Sequence, residues 1–392
     1  MTEIATSRFE ALKVSAPGKR VCFWGAPADS SLAGGTFSTR LAASGGNTGN
    51  MFIGHSLYNN LICDTKSYHP GFHLIPPDRF REHYDLVLIP ASNFVNNVTD
   101  LSAHYAYFSK TDVSLVCFGL GSQLLPGQDV ALAPGTEKFL RLVGERSGSI
   151  GVRGTFTAEV LWNLGVRNVS VVGCPSLLSL RAEHLQRLLR EPPTLDKLAV
   201  NFSNNVRRHA LNAMAMKVSE DSLFQRVMRE NSFYILQNET PEIDLLEARD
   251  AGNADGVIAA MERVCASFAV SPSRDDVKQY LLQRMRIFFS VNEWLGSTST
   301  MTASVGSRFH GNIAAILSGV PAMFLVHDMR TLELCEFFHL PHLILDRPLE
   351  AGLIVERLLG CDYRPFEKRI ADVQIEWKLF FKRNGIDVAS VA

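Results

Sequence analysis

The sequence predicts an α/β protein of two Rossmann-like parallel-sheet domains that face each other across a cleft. Three observations point there. Short apolar runs of strand character alternate with helical patterns along the chain, as in a parallel sheet covered by helices. The length of 392 residues suggests two domains. Residues 191–197 (EPPTLDK) place two prolines and several charges between periodic segments and read as a linker. The expected division is a flexible lead-in over 1–19, an N-terminal domain over 20–190, the linker over 191–197 and a C-terminal domain over 198–360. A C-terminal helix within 361–392 can cross back to the first domain.

The elements follow in order. Residues 21–24 (VCFW) give a first short strand, and 25–50 are rich in Gly, Ser, Ala and Asn. Within that run, GGNTGN at 45–50 precedes a helix over 51–61. A glycine-rich turn at a helix start allows close approach of a phosphate or of backbone, although Gly-Asn turns are mostly just turns. Residues 84–90 (YDLVLIP) form a buried strand, with Ser92, Asn93 and Phe94 as the loop after it. A strand over 113–118 ends in GLGSQ, which lacks the rest of a dinucleotide fingerprint, so no Rossmann cofactor site is read there. Residues 150–154 (IGVRG) are a strand end, and Thr155 caps a helix, with Glu159 four residues on rather than the ideal three. Gly165 ends that helix, and a strand over 169–172 leads to Gly173-Cys174-Pro175-Ser176.

The second half opens with a strand over 198–202 and a polar loop over 203–208. Then come a helix over 212–230, a strand over 232–236 leading to Gln237-Asn238-Glu239, and helices over 253–266 and 277–289. A short turn at 292–295 and a β-rich run over 299–305 precede Ser307-Arg308-Phe309-His310-Gly311. Residues 313–317 are helical with Gly319 at the helix end, and 321–326 form a short buried strand. A last strand over 342–345, a helix over 349–358 and a long helix over 366–384, carrying Ile375, Trp377, Phe380 and Phe381, complete the chain.

Ser307–Gly311 is therefore a strand-to-helix turn. Helix-start N–H groups are unpaired and point toward an anion. An arginine adds a bidentate clamp for phosphate or carboxylate, and a histidine two residues on can give or take a proton near neutral pH. The five residues alone fit equally well a structural reading, with Arg308 paired to a carboxylate and His310 bonded to a nearby carbonyl.

Composition narrows the function. Hydrophobic residues make up 46%, enough to fill two cores, and the formal net charge is −1. There is no basic excess for nucleic acid and no long block of like charge. The N-terminus has no apolar signal region, and no stretch approaches the roughly 18 apolar residues of a transmembrane helix. The seven cysteines are scattered and show no zinc spacing. The expectation is a cytoplasmic protein. Any encounter with a membrane is expected to be peripheral, and no amphipathic anchor stands out. The oligomeric state is open.

The stretch from Ser304 to Pro341 resembles the polysaccharide pyruvyltransferase family. That family carries a Ser-Arg-x-His-Gly turn, a small-residue helix, Gly-x-Pro, and a downstream Asp with Arg-Thr and Glu-Leu. Here Arg308, His310, Gly311, Gly319, Pro321, Asp328, Arg330, Thr331, Glu333 and Leu334 stand in that order. Gly46-Asn47-Thr48-Gly49-Asn50 is similar to the family's Gly-Asn-x-Gly-Asp turn, with Asn50 where Asp is usual. Arg153 matches the arginine of a Val-Arg-x-x-x-Thr helix, and Cys174 stands where the following turn usually has Asp. The two halves suggest the arrangement called GT-B-like, and the resemblance implies it too.

The resemblance implies transfer of the enolpyruvyl group of phosphoenolpyruvate onto a sugar of a surface polysaccharide or its precursor, closed as a cyclic ketal. Phosphoenolpyruvate is then the donor substrate, with no cofactor and no metal. On that reading Arg308 and Arg153, with Phe309 and Gly311, bind the donor, and His310 is the acid that protonates carbon 3. Asn47, Gly49, Asn50, Asp328, Arg330 and Glu333 belong to the cleft or its support, and Asp328 or Glu333 can assist as base. Residues 25–50 and 64–80 are read as acceptor-side loops. Two other classes stay open: a GT-B-type glycosyltransferase using a nucleotide sugar, and a non-catalytic carbohydrate-binding member. Fold alone does not separate them.

Overall fold

The computed structural model describes residues 12–68, 74–124, 131–203 and 209–390. Its strands are β1 Leu12–Phe23, β2 Leu61–Tyr68, β3 Leu86–Pro90, β4 Ser114–Phe118, β5 Ile150–Val152, β6 Val169–Val171, β7 Leu198–Asn201, β8 Ser232–Leu236, β9 Met285–Ile287, β10 Ala303–Gly306, β11 Ala322–Val326, β12 His342–Ile344 and β13 Asp387–Ser390. Strands such as β3 (LVLIP) and β11 (AMFLV) are buried along their whole length. Continuous apolar runs of this kind belong to parallel sheets covered on both faces.

In the first sheet β1 pairs in parallel with β2 and β3, and β3 with β4. β13 returns from the C-terminus to pair antiparallel with the start of β1. β5 and β6 form a separate parallel pair. The second sheet has the order β9-β8-β7-β10-β11-β12, every pairing parallel. The chain builds outward from β7 to β9, crosses back, and builds the other way from β10 to β12. This is the doubly wound order, and its switch point lies between β7 and β10. Ligands bind in open α/β sheets beyond the carboxyl ends of the strands at that point.

The largest core cluster draws residues from both halves. Phe52, on the helix Asn50–Asn60, meets Trp294, on the helix Val291–Thr298, at 5.0 Å between ring centroids. The long helix Arg364–Arg383 lies on the first half: Phe380 stands 5.0 Å from Phe118, and Trp377 Nε1 donates to the Val172 carbonyl at 2.7 Å. Burying each such aromatic contributes about 2–3 kcal/mol. No helix among the described residues is long and apolar enough to cross a membrane.

Several elements differ from the sequence reading. β1 begins at Leu12, so residues 12–19 of the lead-in expected over 1–19 are strand instead, and residues 1–11 lie outside the described residues. Within the loop expected over 64–80, residues up to Tyr68 belong to β2, while 69–73, with His69 and His73, lie outside the described residues. The helix expected over 277–289 ends at Arg284, because the run Met-Arg-Ile pairs with β8 at the sheet edge instead. The turn at 292–295 is part of the helix Val291–Thr298, and the run 299–305 becomes strand only from Ala303. Of the loop 203–208, residues 204–208 lie outside the described residues. β13 and the helices Ser102–Phe108, Pro134–Glu145, Ala182–Arg190, Thr240–Asp250 and Met329–Phe338 were not anticipated.

Candidate functional site

The Ser307-Arg308 turn lies at the switch point, between the end of β10 and the helix Phe309–Ile316. Asn201, the last residue of β7, holds it. Its Oδ1 accepts the Arg308 N–H at 2.8 Å, its carbonyl accepts the Ser307 N–H at 3.0 Å, and its Nδ2 donates to Asn312 Oδ1 at 3.1 Å. Gly311 backs onto the same asparagine: a Cβ there would stand 2.8 Å from Asn201 Cγ. Arg308 is buried. Its Nε donates to the Phe202 carbonyl at 3.0 Å and an Nη to Asn238 Oδ1 at 2.6 Å, and its guanidinium pairs with the fully buried Glu239. The other Glu239 oxygen accepts the N–H groups of Gln237 and Asn238 at 2.6 and 3.0 Å.

Arg153 reaches the same recess from the first half. It follows β5 and is only 2% exposed. Its guanidinium donates to the carbonyls of Gly119 and Ala91 at 2.8 and 3.3 Å and to Asn93 Oδ1 at 2.9 Å. No carboxylate among the described residues comes within ion-pair distance of it. Burial lowers its pKa, but a guanidinium stays protonated at neutral pH. Arg330 is the third cation, with an Nη 3.0 Å from Asp328 Oδ2 and a buried Nε that has no hydrogen-bond partner.

These arginines line a small recess of about 40 Å3 together with Asn47, Asn50, Asn93, Gln237, Phe309 and His310. Among the described residues no acidic side chain lines it. Gln237 is 2% exposed, and its Nε2 is a second buried donor without a partner. The helix Asn50–Asn60 begins at the recess as well. Gly49 permits this, because a Cβ there would collide with Gln237 Oε1 and stand 3.0 Å from His310 Cβ. Asn47 Oδ1 accepts the Gly49 N–H at 2.8 Å. Two helix starts, three guanidiniums and an unpartnered amide therefore converge where an anion would sit.

His310 lies against this cluster. Its ring stacks parallel to Phe52 at 6.4 Å between centroids, and its Nε2 is 3.5 Å from Cys174 Sγ. Burial, with Arg153 and Arg330 nearby, holds the imidazole well below its ordinary range. Held there, it is a neutral base at neutral pH. An anion placed among the arginines would offset their field and raise its proton affinity.

Asp328 and Glu333 stand behind the recess rather than in it. Asp328 caps the helix Met329–Phe338, accepting from Thr331 N–H and Oγ1 at 2.8 and 2.6 Å. Arg330 and these bonds keep its carboxyl ionised despite burial. Glu333 accepts from Thr157 N–H and Oγ1, both at 2.9 Å. The helix Thr155–Asn163 thus takes its cap from the opposite half, since its N-cap is Gly154 and not the expected Thr155. Burial raises the Glu333 pKa against those bonds.

Asn93, Asn201, Gln237, Asn238 and Glu239 were not singled out as site residues. Each sits at or just after the carboxyl end of β3, β7 or β8. The switch-point rule, applied to every strand end, was the available signal.

The family model described as polysaccharide pyruvyl transferase matches residues 38–329. No curated protein sequence matches the chain. Among solved structures, HepE of Anabaena in complex with UDP and glucose aligns with a TM-score of 0.42 at 10% identity, covering 93% of this chain and 95% of that one. S. aureus MnaA with UDP gives 0.44 at 9% identity, covering 89% and 90%. A UDP-N-acetylglucosamine 2-epimerase gives 0.42 at 10% identity, covering 94% and 96%.

Proposed function

Since the chain belongs to the polysaccharide pyruvyl transferase family, we propose that it transfers the enolpyruvyl group of phosphoenolpyruvate to a sugar of a surface polysaccharide or its precursor, forming a cyclic pyruvate ketal. One observation carries the donor assignment: three arginines and His310 surround a recess with no acidic lining residue among those described. Phosphoenolpyruvate brings a phosphate and a carboxylate close together, so its binding calls for several cations and helix-start N–H groups.

In this reading the donor's charge offsets the field of Arg153 and Arg330, and His310 becomes able to hold a proton. Protonation of carbon 3 makes carbon 2 electrophilic. A sugar hydroxyl attacks carbon 2 and the C–O bond to phosphate breaks. A neighbouring hydroxyl then attacks the same carbon and closes the ketal. Of the two hydroxyl protons lost, one balances the new methyl group and the other leaves with phosphate. His310 can serve in both transfers, as base toward the hydroxyl and acid toward carbon 3. Asp328 and Glu333 act by holding Arg330 and the Thr155–Asn163 helix in place. The reaction is then cytoplasmic, where the donor is made.

The test is phosphate release from phosphoenolpyruvate by the purified protein with a panel of sugar acceptors, beside His310→Ala, with donor binding read by thermal shift. Acceptor-dependent release that the variant abolishes is the expected result. A shift with a nucleotide sugar and none with phosphoenolpyruvate would instead establish the glycosyltransferase alternative. Glycan binding with no turnover of either donor would make the chain a non-catalytic member.

A further inference from the structure

A second, larger recess of about 280 Å3 adjoins the arginine site, and Asn50 lines both. The loop after β3 joins them as well: Asn93 faces the arginines, whereas Ser92 and Phe94 line the larger recess. The two differ sharply in chemistry. Among the described residues, three arginines line the first and no charged residue lines the second. The larger recess carries an aromatic pair instead. Trp24 and Phe94, both half-buried, stack with centroids 5.8 Å apart and 29° between their planes. Ala43, from the helix Phe37–Ala43, and Ile53 add small and aliphatic surface.

We propose that this recess is the acceptor subsite and that it takes an uncharged pyranose, with the C–H face of the sugar on the Trp24–Phe94 pair and two of its hydroxyls directed past Asn50 toward the donor. The proposal rests on the donor reading above for its direction. A pyranose offers a face of C–H bonds, and aromatic rings offer apolar area with a negative face. At about 280 Å3 the recess is close to the lower end of the range of ligand pockets, roughly 300–1,000 Å3, which suits a single sugar ring. Asn50 supplies the polar contact. Its Nδ2 makes two long bonds, 3.3 Å each, to the carbonyls of Ser44 and Gly45, and among the described residues no hydrogen bond reaches its Oδ1. That oxygen is open to a sugar hydroxyl at the junction of the two recesses. A uronate, or the diphosphate of a carrier, would bring charge against walls whose described residues include no counter-ion. The carrier of a linked precursor therefore stays outside, and only its terminal neutral sugar enters.

The experiment is saturation-transfer NMR on the full chain without donor, using methyl glycosides of glucose, galactose, mannose and N-acetylglucosamine, and methyl glucuronide as the charged control. The variants are Phe94→Ala, which removes half of the platform, and Ala43→Leu, which keeps a good helix former and fills the recess. At least one neutral glycoside should receive transfer at its ring C–H protons, and the effect should fall roughly tenfold in either variant. The thermal shift by phosphoenolpyruvate should persist in both. Absence of transfer to every neutral glycoside, equal transfer to the glucuronide, or transfer unchanged in both variants overturns the proposal. The donor is probed without sugar and the sugar without donor. Failure of phosphoenolpyruvate to bind therefore sinks the donor reading alone, and failure of the glycosides sinks this one.

Discussion

Replacing Arg308 by Ala should cost stability as well as donor binding. Glu239 is fully buried and pairs with the Arg308 guanidinium. Without Arg308, that carboxylate keeps, among the described residues, only the N–H groups of Gln237 and Asn238, at 2.6 and 3.0 Å. Removing one partner of a buried pair typically costs about 3–5 kcal/mol, because a buried charge is stranded. The two remaining donors put the expected loss near the lower end, about 3 kcal/mol. Glu239→Gln on the Arg308→Ala background removes the stranded charge and should restore about 1.5–2 kcal/mol. Urea unfolding of the wild type, both single variants and the double variant reads this as shifts in midpoint at a common slope. If Arg308→Ala unfolds within about 0.5 kcal/mol of wild type, or the second substitution rescues nothing, the account of the pair is wrong. The result also decides how activity loss is interpreted. An inactive Arg308→Ala confounds folding with binding, whereas Arg308→Ala/Glu239→Gln isolates the missing cation.

Three further outcomes are expected. Phosphoenolpyruvate binding should take up a proton through His310, whose imidazole is held down by burial, Arg153 and Arg330. If the donor returns it to its ordinary value, wild type takes up about half a proton more than His310→Gln at pH 6.5. Calorimetry in two buffers measures the difference, which cancels the donor's own phosphate titration, and equal proton counts in the two proteins would refute the coupling. Cys174→Asp places a carboxylate where Sγ now stands 3.5 Å from His310 Nε2. It should move the acid limb of the kcat/KM profile upward by about one unit, while Cys174→Ser leaves it nearly in place; an unshifted profile in folded Cys174→Asp counts against the contact. Finally, acid should destabilise the protein through His55 and His327, both lowered to about 4, chiefly by burial. The unfolded chain, with histidines near their ordinary value, binds more protons in this window. The contribution is thus complete above about pH 6.5 and is lost as pH falls toward 4, with about 2 kcal/mol lost per residue by pH 5. Unfolding free energies at pH 7 and 5 test it, and the slope should flatten in His327→Gln.

The sequence by itself determined what is encoded locally. The turn at Ser307–Gly311 was legible because strand, turn and helix are contiguous, and their periodicity survives in any context. Arg153 was legible for the same reason, at the end of a short strand before a helix. Parallel-sheet architecture followed from uninterrupted apolar runs such as β3 and β11, which only a sheet covered on both faces can bury. β2 was missed because its run LICDTKSY is largely polar, and β13 because its only recorded pairing is with β1, at the far end of the chain. Tertiary structure alone decided which residues meet. Glu239 holds Arg308 across the β7–β8–β10 arrangement, and Glu333 caps a helix 176 residues away through Thr157. Cys174 reaches His310, and Arg330 turns its guanidinium into a recess that belongs to neither half. Periodicity reports which face of an element is buried. It carries no information about which buried faces are brought together, because strand order and the closing of two sheets on each other are settled by long-range packing.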